Sequence, residues 1–312
     1  MNLPFFIAGW SFVDGVRELP EPSPGPLAAG CWYHFQRDAQ DTELRLRLAG
    51  IPLSAICSVL AEDTRPRFEL LDDGNFLLNL RGVNLNEGET PDDMLSIRIL
   101  FYNGVLISTR KFPSRAISDI RSELAEGLGP RDLAEVLVAI IDKLHQRIED
   151  FVEPAETLIA EQEDEHSTEE SELMPLNKRL IKLRRFLKPQ RFALEDMLET
   201  LPALLLDKRL ALANARDTAA RINESIDFYL EHIALVGQYQ ARWHSEKVNR
   251  NTYLLSILSG VFLPISFLTG LFGINIAGMP GIDNPLAFTV FSSSLVGLVA
   301  IEVILLKRWR FI

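Results

Sequence analysis

The sequence predicts an α+β cytosolic domain followed by a long helical stalk and two C-terminal transmembrane helices. Three observations lead to that class. Strand-like alternation and hairpin turns are concentrated in residues 1–125, helical periodicity takes over in residues 126–250, and residues 251–282 contain no charged side chain. The last point stands out because the chain is otherwise rich in charge, with 32 Lys and Arg against 43 Asp and Glu. A length of 312 residues with 47% hydrophobic composition is enough for about two domains and a sizeable core.

The chain opens on "MNLPFFIAGWSFVDG", which lacks the basic start and apolar core of a secretory signal and soon turns acidic, so the first domain is expected to stay in the cytosol. In "LSIRILFYNGVLISTRK" two alternating apolar runs flank Asn103-Gly104, the dipeptide favoured in tight hairpin turns. A second hairpin is expected in "FELLDDGNFLLNL", turning at Asp73-Gly74. Cys31 and Cys57 are too far apart for a C-x-x-C motif, and in a reducing compartment both are expected to be buried free thiols.

From "AISDIRSELAEG" onward the period becomes helical, with Leu133, Val136, Leu137, Ile140, Ile141, Leu144, Ile148 and Phe151 recurring at three and four. The run "EQEDEHSTEESE" packs seven carboxylates into twelve residues around His166; it reads as a solvated loop more readily than as a cation site. A basic helix, "LNKRLIKLRRFLKPQRF", follows. From residue 207 onward Leu210, Ile222, Ile226, Tyr229, Ile233 and Val236 keep coiled-coil-like spacing, and a single helix over 207–272 would be ~100 Å long. Such a helix would couple the cytosolic domain mechanically to the membrane. The histidines at 34, 145, 166, 232 and 244 form no local metal motif and are expected to be surface or packing residues.

Residues 253–272 form an apolar run long enough to cross a hydrocarbon core of ~30 Å. A second run, 286–306, is interrupted by Glu302 and ends in Lys307-Arg308-Trp309-Arg310. Basic residues Arg242, Lys247 and Arg250 precede the first span and the second basic cluster follows the second, so both termini are expected on the cytoplasmic side. The uncharged loop 273–284, with "FGINIAGMPG" at its start, would then face outward. On the first span Asn249, Thr252, Ser256, Ser259, Leu263, Ser266 and Gly270 fall on one face, most of them small or polar. That stripe can line a water path or serve as a small-residue packing seam, and the sequence leaves both open. Pro264 lacks an N–H and should loosen the helix about halfway along, opposite the carbonyl of Gly260. Two spans cannot enclose a hydrophilic path, so a transport reading requires several subunits around a central axis.

Gly273-Ile274-Asn275 followed by Met279-Pro280 resembles the Gly-Met-Asn signature and outer loop of the CorA family of divalent-cation transporters. Two departures point to one branch: Ile274 replaces the motif Met, and Gly281 stands where magnesium-transporting members usually carry Glu. "VFLPISFLTGLFGIN", "EGLGP" and "RRFLKPQR" are similar to the zinc-transporting ZntB branch, and the resemblance extends over nearly the whole chain. It implies a homopentamer with a CorA-like cytosolic funnel in the bacterial inner membrane. The first spans would line the pore, with Gly273, Ile274 and Asn275 as its outer filter, and zinc would move either inward, coupled to protons, or outward as efflux. A magnesium or cobalt channel of the CorA type and a membrane-anchored scaffold without transport are the alternative readings.

The residues add constraints of their own. No enzyme is expected, since the phosphate-binding glycine loop, G-x-S-x-G and H-E-x-x-H are all missing from the sequence. No cofactor or nucleic-acid partner is expected either. Residues 251–312 carry a net +1, leaving −12 of the total −11 on the preceding part, a field that favours cations. The same 251–312 segment has no His and no Cys, the ligands zinc prefers, so the ion should pass largely hydrated and Co²⁺, Ni²⁺ and Cd²⁺ should follow Zn²⁺. Glu302, the one carboxylate in a span, is expected to snorkel or pair with the terminal basic cluster rather than relay protons.

Overall fold

The structure is a computed structural model that describes residues 4–62, 64–164, 173–274, 281 and 284–308. The described strands are β1 (Phe6–Ser11), β2 (Arg17–Glu18), β3 (Cys31–Gln36), β4 (Arg67–Leu70), β5 (Phe76–Gly82), β6 (Leu95–Tyr102) and β7 (Val105–Arg110). They form one sheet in the order β2-β1-β3-β7-β6-β5-β4. Its neighbours pair antiparallel except β3 with β7, which are parallel. Both hairpins read from the sequence form. Asn103 (φ 48) and Gly104 (φ 77) take the two left-handed positions of the β6–β7 turn, and a 3₁₀ turn at Asp72–Gly74 joins β4 to β5. Asn75 Oδ1 accepts from the Asn103 N–H at 2.8 Å, which ties the two turns together.

Strand side chains alternate between two apolar layers, so the sheet is covered on both faces. Tyr33, Phe35, Leu77, Leu100 and Ile107 pack with Leu46 of α1 (Thr42–Leu48) and Ile56 of α2 (Leu53–Leu60). Trp32, Leu78, Ile99 and Leu106 face the other way, onto α3 (Arg115–Ala125) and α4 (Leu133–Val152). The α4 stripe buries as its period predicts, with Val136, Leu137, Ile140, Ile141 and Ile148 fully enclosed and Phe151 half-buried. The helix begins at Asp132, whose side chain accepts from the Glu135 N–H at 2.7 Å while Glu135 Oε2 accepts from the Arg131 N–H at 2.7 Å. Lys208 adds an ion pair to Glu135 at 2.8 Å, and that hydrogen bond together with the one from Arg131 holds the Glu135 carboxyl below the usual carboxylate range.

Helices α5 (Pro154–Asp164) and α6 (Leu173–Thr200) follow, then a 3₁₀ segment, Ala203–Lys208. The helix expected from residue 207 is α7 (Arg209–Phe272), a single element of 64 residues, and α8 (Ala287–Arg308) closes the described chain. Leu183, Leu187, Ile222, Ile226, Ile233 and Val236 of α6 and α7 share a second core with Ile148 and Val152 of α4. Two compact units result, Met1–Val236 and Gly237–Ile312, and α7 contributes to both.

One expectation is corrected. Cys31 is buried, but Cys57 is exposed, because on α2 the inward positions are Ala55, Ile56 and Val59 and position 57 falls on the outer face. The histidines divide as packing and surface residues: His34 and His145 are buried, His232 is half-buried and His244 is exposed. The acidic run around His166 lies largely outside the described residues.

Candidate functional site

The second compact unit is built from the C-terminal half of α7 and from α8. Both are long and apolar enough to cross a membrane. In a single chain most of their side chains are exposed, and the half-buried ones mark where the two helices meet. On α7 these are Ile257, Val261, Pro264, Ile265 and Leu268; on α8 they include Phe291, Leu295, Leu298, Val299 and Glu302. Spacings of three and four keep each set on one face of its helix. The rings of Phe272 and Phe291, 4.9 Å apart, close the seam at the α7–α8 loop end.

Against that seam the stripe read from the sequence can be located. Asn249, Thr252, Ser256, Ser259, Leu263, Ser266 and Gly270 are all exposed. At about 100° per residue the stripe centres roughly 160° from the seam, on the opposite side of α7. The stripe is therefore not the packing surface between α7 and α8, and it stands free of the chain's own second span. Its hydroxyls are partly satisfied within the helix: Ser256 Oγ donates to Thr252 O at 2.9 Å, and beside the stripe Thr269 Oγ1 donates to Ile265 O at 2.9 Å. This back-bonding lets a hydroxyl sit in an apolar span while its oxygen can still accept from water or a hydrated ion.

At the loop end of α7 Gly273 N–H donates to Gly270 O at 3.1 Å, tightening the last turn. A Cβ on Gly273 would lie 2.9 Å from Thr269 O, a backbone atom, so no other residue fits that turn without displacing it. Ile274 is exposed. Asn275, the third filter residue read from the sequence, lies outside the described residues, as do Met279 and Pro280. The chain re-enters the described part near Asn284, whose Oδ1 accepts from the Leu286 N–H at 2.9 Å and whose carbonyl accepts from the Ala287 N–H at 3.0 Å. This start of α8 is legible in hindsight, because Asn followed by Pro285 is a helix-start pair.

At the opposite end of the first span Lys247 Nζ lies 5.1 Å from the Trp243 ring centroid, a cation over an aromatic face in the basic flank of the membrane segment. Glu302 is half-buried on the α8 seam, its Oε2 is enclosed without a hydrogen-bond partner, and among the described residues it forms no ion pair. Arg310 of the terminal cluster lies outside the described residues. No group of three or more His, Cys, Asp or Glu side chains that could hold a metal ion is found among the described residues.

A two-faced α/β domain followed by a 64-residue helix, a glycine turn and a second apolar helix, in a chain that the divalent-cation transporter family matches, defines a membrane transporter of divalent cations rather than an enzyme. The chain belongs to the CorA-like Mg²⁺ transporter protein family, whose model matches residues 28–308, and within it to the ZntB branch. It is 40% identical to a zinc transport protein ZntB of Vibrio parahaemolyticus, over 98% of this chain and 97% of the relative. The solved structure of full-length CmaX superposes with a TM-score of 0.85 at 31% identity, covering 98% of each chain. A CorA magnesium transporter from Methanocaldococcus jannaschii shares the fold, with a TM-score of 0.81 over 98% of each chain, at 17% identity.

Proposed function

We propose that this chain is one subunit of a homopentameric zinc transporter of the bacterial inner membrane, with both termini cytoplasmic and uptake coupled to protons. The observation that carries the reading is the placement of the α7 stripe opposite the α7–α8 seam. Five copies arranged with α8 outward would turn Thr252, Ser256, Ser259, Leu263, Ser266 and Gly270 toward a shared axis and leave the apolar faces to lipid. Gly273, Ile274 and Asn275 would form the outer mouth, where Asn275 supplies amide oxygens as weak acceptors for the ion's water shell. A ring of carboxylates at the same place would repel itself and hold a dication too tightly to release it. The missing imidazole and thiolate ligands in residues 251–312 support passage of a hydrated ion, so Co²⁺, Ni²⁺ and Cd²⁺ should compete with Zn²⁺. The name carried by the 40%-identical relative supports zinc as cargo.

The test is flux into liposomes holding the purified protein, with Zn²⁺ and Mg²⁺ supplied separately at several imposed pH gradients. Zinc entry that rises with an inward proton gradient is expected. Magnesium flux without zinc flux would move the chain to the magnesium-channel reading, and no flux of either ion would leave a membrane-anchored scaffold.

A further inference from the structure

The chain leaves the sheet in opposite directions where β3 and β7 end. These two strands are adjacent and parallel. After β3 the chain builds α1 and α2 on one face; after β7 it builds α3 and α4 on the other. Neighbouring parallel strands whose following helices diverge leave an opening beyond their carboxyl ends that neither helix covers, the position at which open α/β sheets hold ligands. Here that position is a cavity of about 870 Å³, within the range of small-molecule sites.

Its floor is fixed by two hydrogen bonds between the strand ends. The Arg37 N–H donates to Arg110 O at 2.8 Å, and Gln36 Nε2 donates to Lys111 O at 2.7 Å. Arg37 and Lys111 then line the cavity from the strand ends, Ser96 from β6 and Arg185 from α6. Arg37 Nη1 and Ser96 Oγ are both enclosed and both lack a hydrogen-bond partner. Enclosed donors without an acceptor are rare in folded proteins, so two of them on residues that line one cavity mark a place where an acceptor-rich group belongs.

The carboxylates around the cavity are largely engaged. Asp92 and Asp93 hold Lys182 at 2.8 and 3.3 Å, and Asp38 Oδ1 accepts from Gln36 Nε2 at 2.6 Å. Glu62 and Glu89 line the cavity as well. Arg37, Lys111 and Arg185 form no ion pair among the described residues; with Arg81 and Lys182 they set five cations against the five carboxylates of the lining, so the cavity carries no excess of either charge. Phe112, 48% exposed beside Lys111, adds an aromatic face at the rim.

We propose that this crevice binds a phosphorylated small anion, with Arg37 Nη1 and the Ser96 hydroxyl donating to phosphate oxygens and Lys111 and Arg185, which have no carboxylate partner of their own among the described residues, turning to it. Planar guanidinium and compact ammonium groups both suit a phosphate, and each hydrogen bond is charge-assisted. The ligand is either a nucleotide, whose ring would lie against Phe112, or a free phosphate or pyrophosphate. The site belongs to the first compact unit and does not depend on the transport reading.

The test is calorimetry on the full-length protein in detergent, without divalent cations, titrated in turn with ATP, AMP, pyrophosphate and inorganic phosphate. Saturable binding of at least one probe is expected at or below about 1 mM, weakened about tenfold or more by Arg37→Gln and by Lys111→Gln. Lys111 is exposed, so its substitution leaves packing intact even if Arg37→Gln does not fold. Arg65→Gln and Lys188→Gln, in the neighbouring cleft between β4 and α6, should bind as the parent does. Tighter binding of ATP and AMP than of the inorganic probes would identify a nucleotide site, and the reverse a phosphate site. Absence of binding by all four probes up to about 10 mM, or binding that follows Arg65 and Lys188 instead of Arg37 and Lys111, overturns the proposal.

Discussion

Two buried histidines make this chain sensitive to acid in a calculable direction. His145 sits in α4 with both ring nitrogens lacking a hydrogen-bond partner, and burial alone pushes its pKa down to about 4. His34 is pushed down to about 3, first by burial and then by Arg110 and Arg121, although Ser108 Oγ lies 2.8 Å from its Nδ1. The unfolded chain takes up protons near pH 6.5 and the folded chain does not, so stability present above that pH is lost progressively as pH falls toward 4. For His145 the loss amounts to roughly 2–4 kcal/mol. His145→Leu should therefore raise the urea midpoint at pH 5 more than at pH 7.5, and an equal change at both pH values would refute the assignment. At the proposed outer mouth Gly273→Ala should displace the last turn of α7, because its Cβ would meet Thr269 O at 2.9 Å. Assembled protein with most zinc flux lost is the expected result. Asn275→Gly should behave in the same way, since it keeps a helix-ending residue while removing the amide acceptor; unchanged flux would reduce Asn275 to a cap.

Elements differ in how far they could be read from the chain. The β6–β7 hairpin was legible because Asn103-Gly104 dictates its own turn, and α4 because eight apolar residues keep one period. The covering of both sheet faces was not, since a strand buried on both sides loses the alternation that would reveal its inner face; β5, with Phe76, Leu77 and Leu78 all buried, is such a strand. On α2 a short apolar run gave no clue to which positions point inward, and Cys57 was misplaced for that reason. The sequence puts the membrane stripe on one face of α7, yet whether α8 would cover it depends on packing that a one-helix pattern does not encode. The start of α4 can be tested directly. Asp132→Ala should cost about 1 kcal/mol by denaturant unfolding near neutral pH. Because the Glu135 carboxyl is held below its ordinary range, the part of the stability that it supplies is present above about pH 4.3 and falls away in stronger acid. Glu135→Gln should flatten that limb of the curve.

For the whole molecule, the arrangement of the membrane unit separates two tasks. The stripe faces away from α8, while the lone carboxylate of the spans, Glu302, sits on the α8 seam. A proton taken up at Glu302 would therefore not share the path that the stripe offers a hydrated ion. Glu302→Gln is expected to retain zinc flux and its response to an imposed pH gradient in liposomes; loss of the pH response with flux otherwise intact would make Glu302 the relay. Ser259→Leu, on the stripe and away from the seam, should leave expression and assembly unchanged while flux falls steeply.

The opposition of seam and stripe on α7 also implies an order of events in time. A span pair that packs through Ile257, Val261, Ile265 and Leu268 against Phe291, Leu295 and Leu298 can close as soon as both helices have entered the bilayer, within one newly made chain. The stripe has no mate among the described residues of α8, and in the assembly proposed above it would wait for other copies to arrive. Biogenesis would then pass through a membrane-inserted hairpin whose hydroxyl-rich side meets lipid, a species short-lived at high expression and long-lived when copies are scarce.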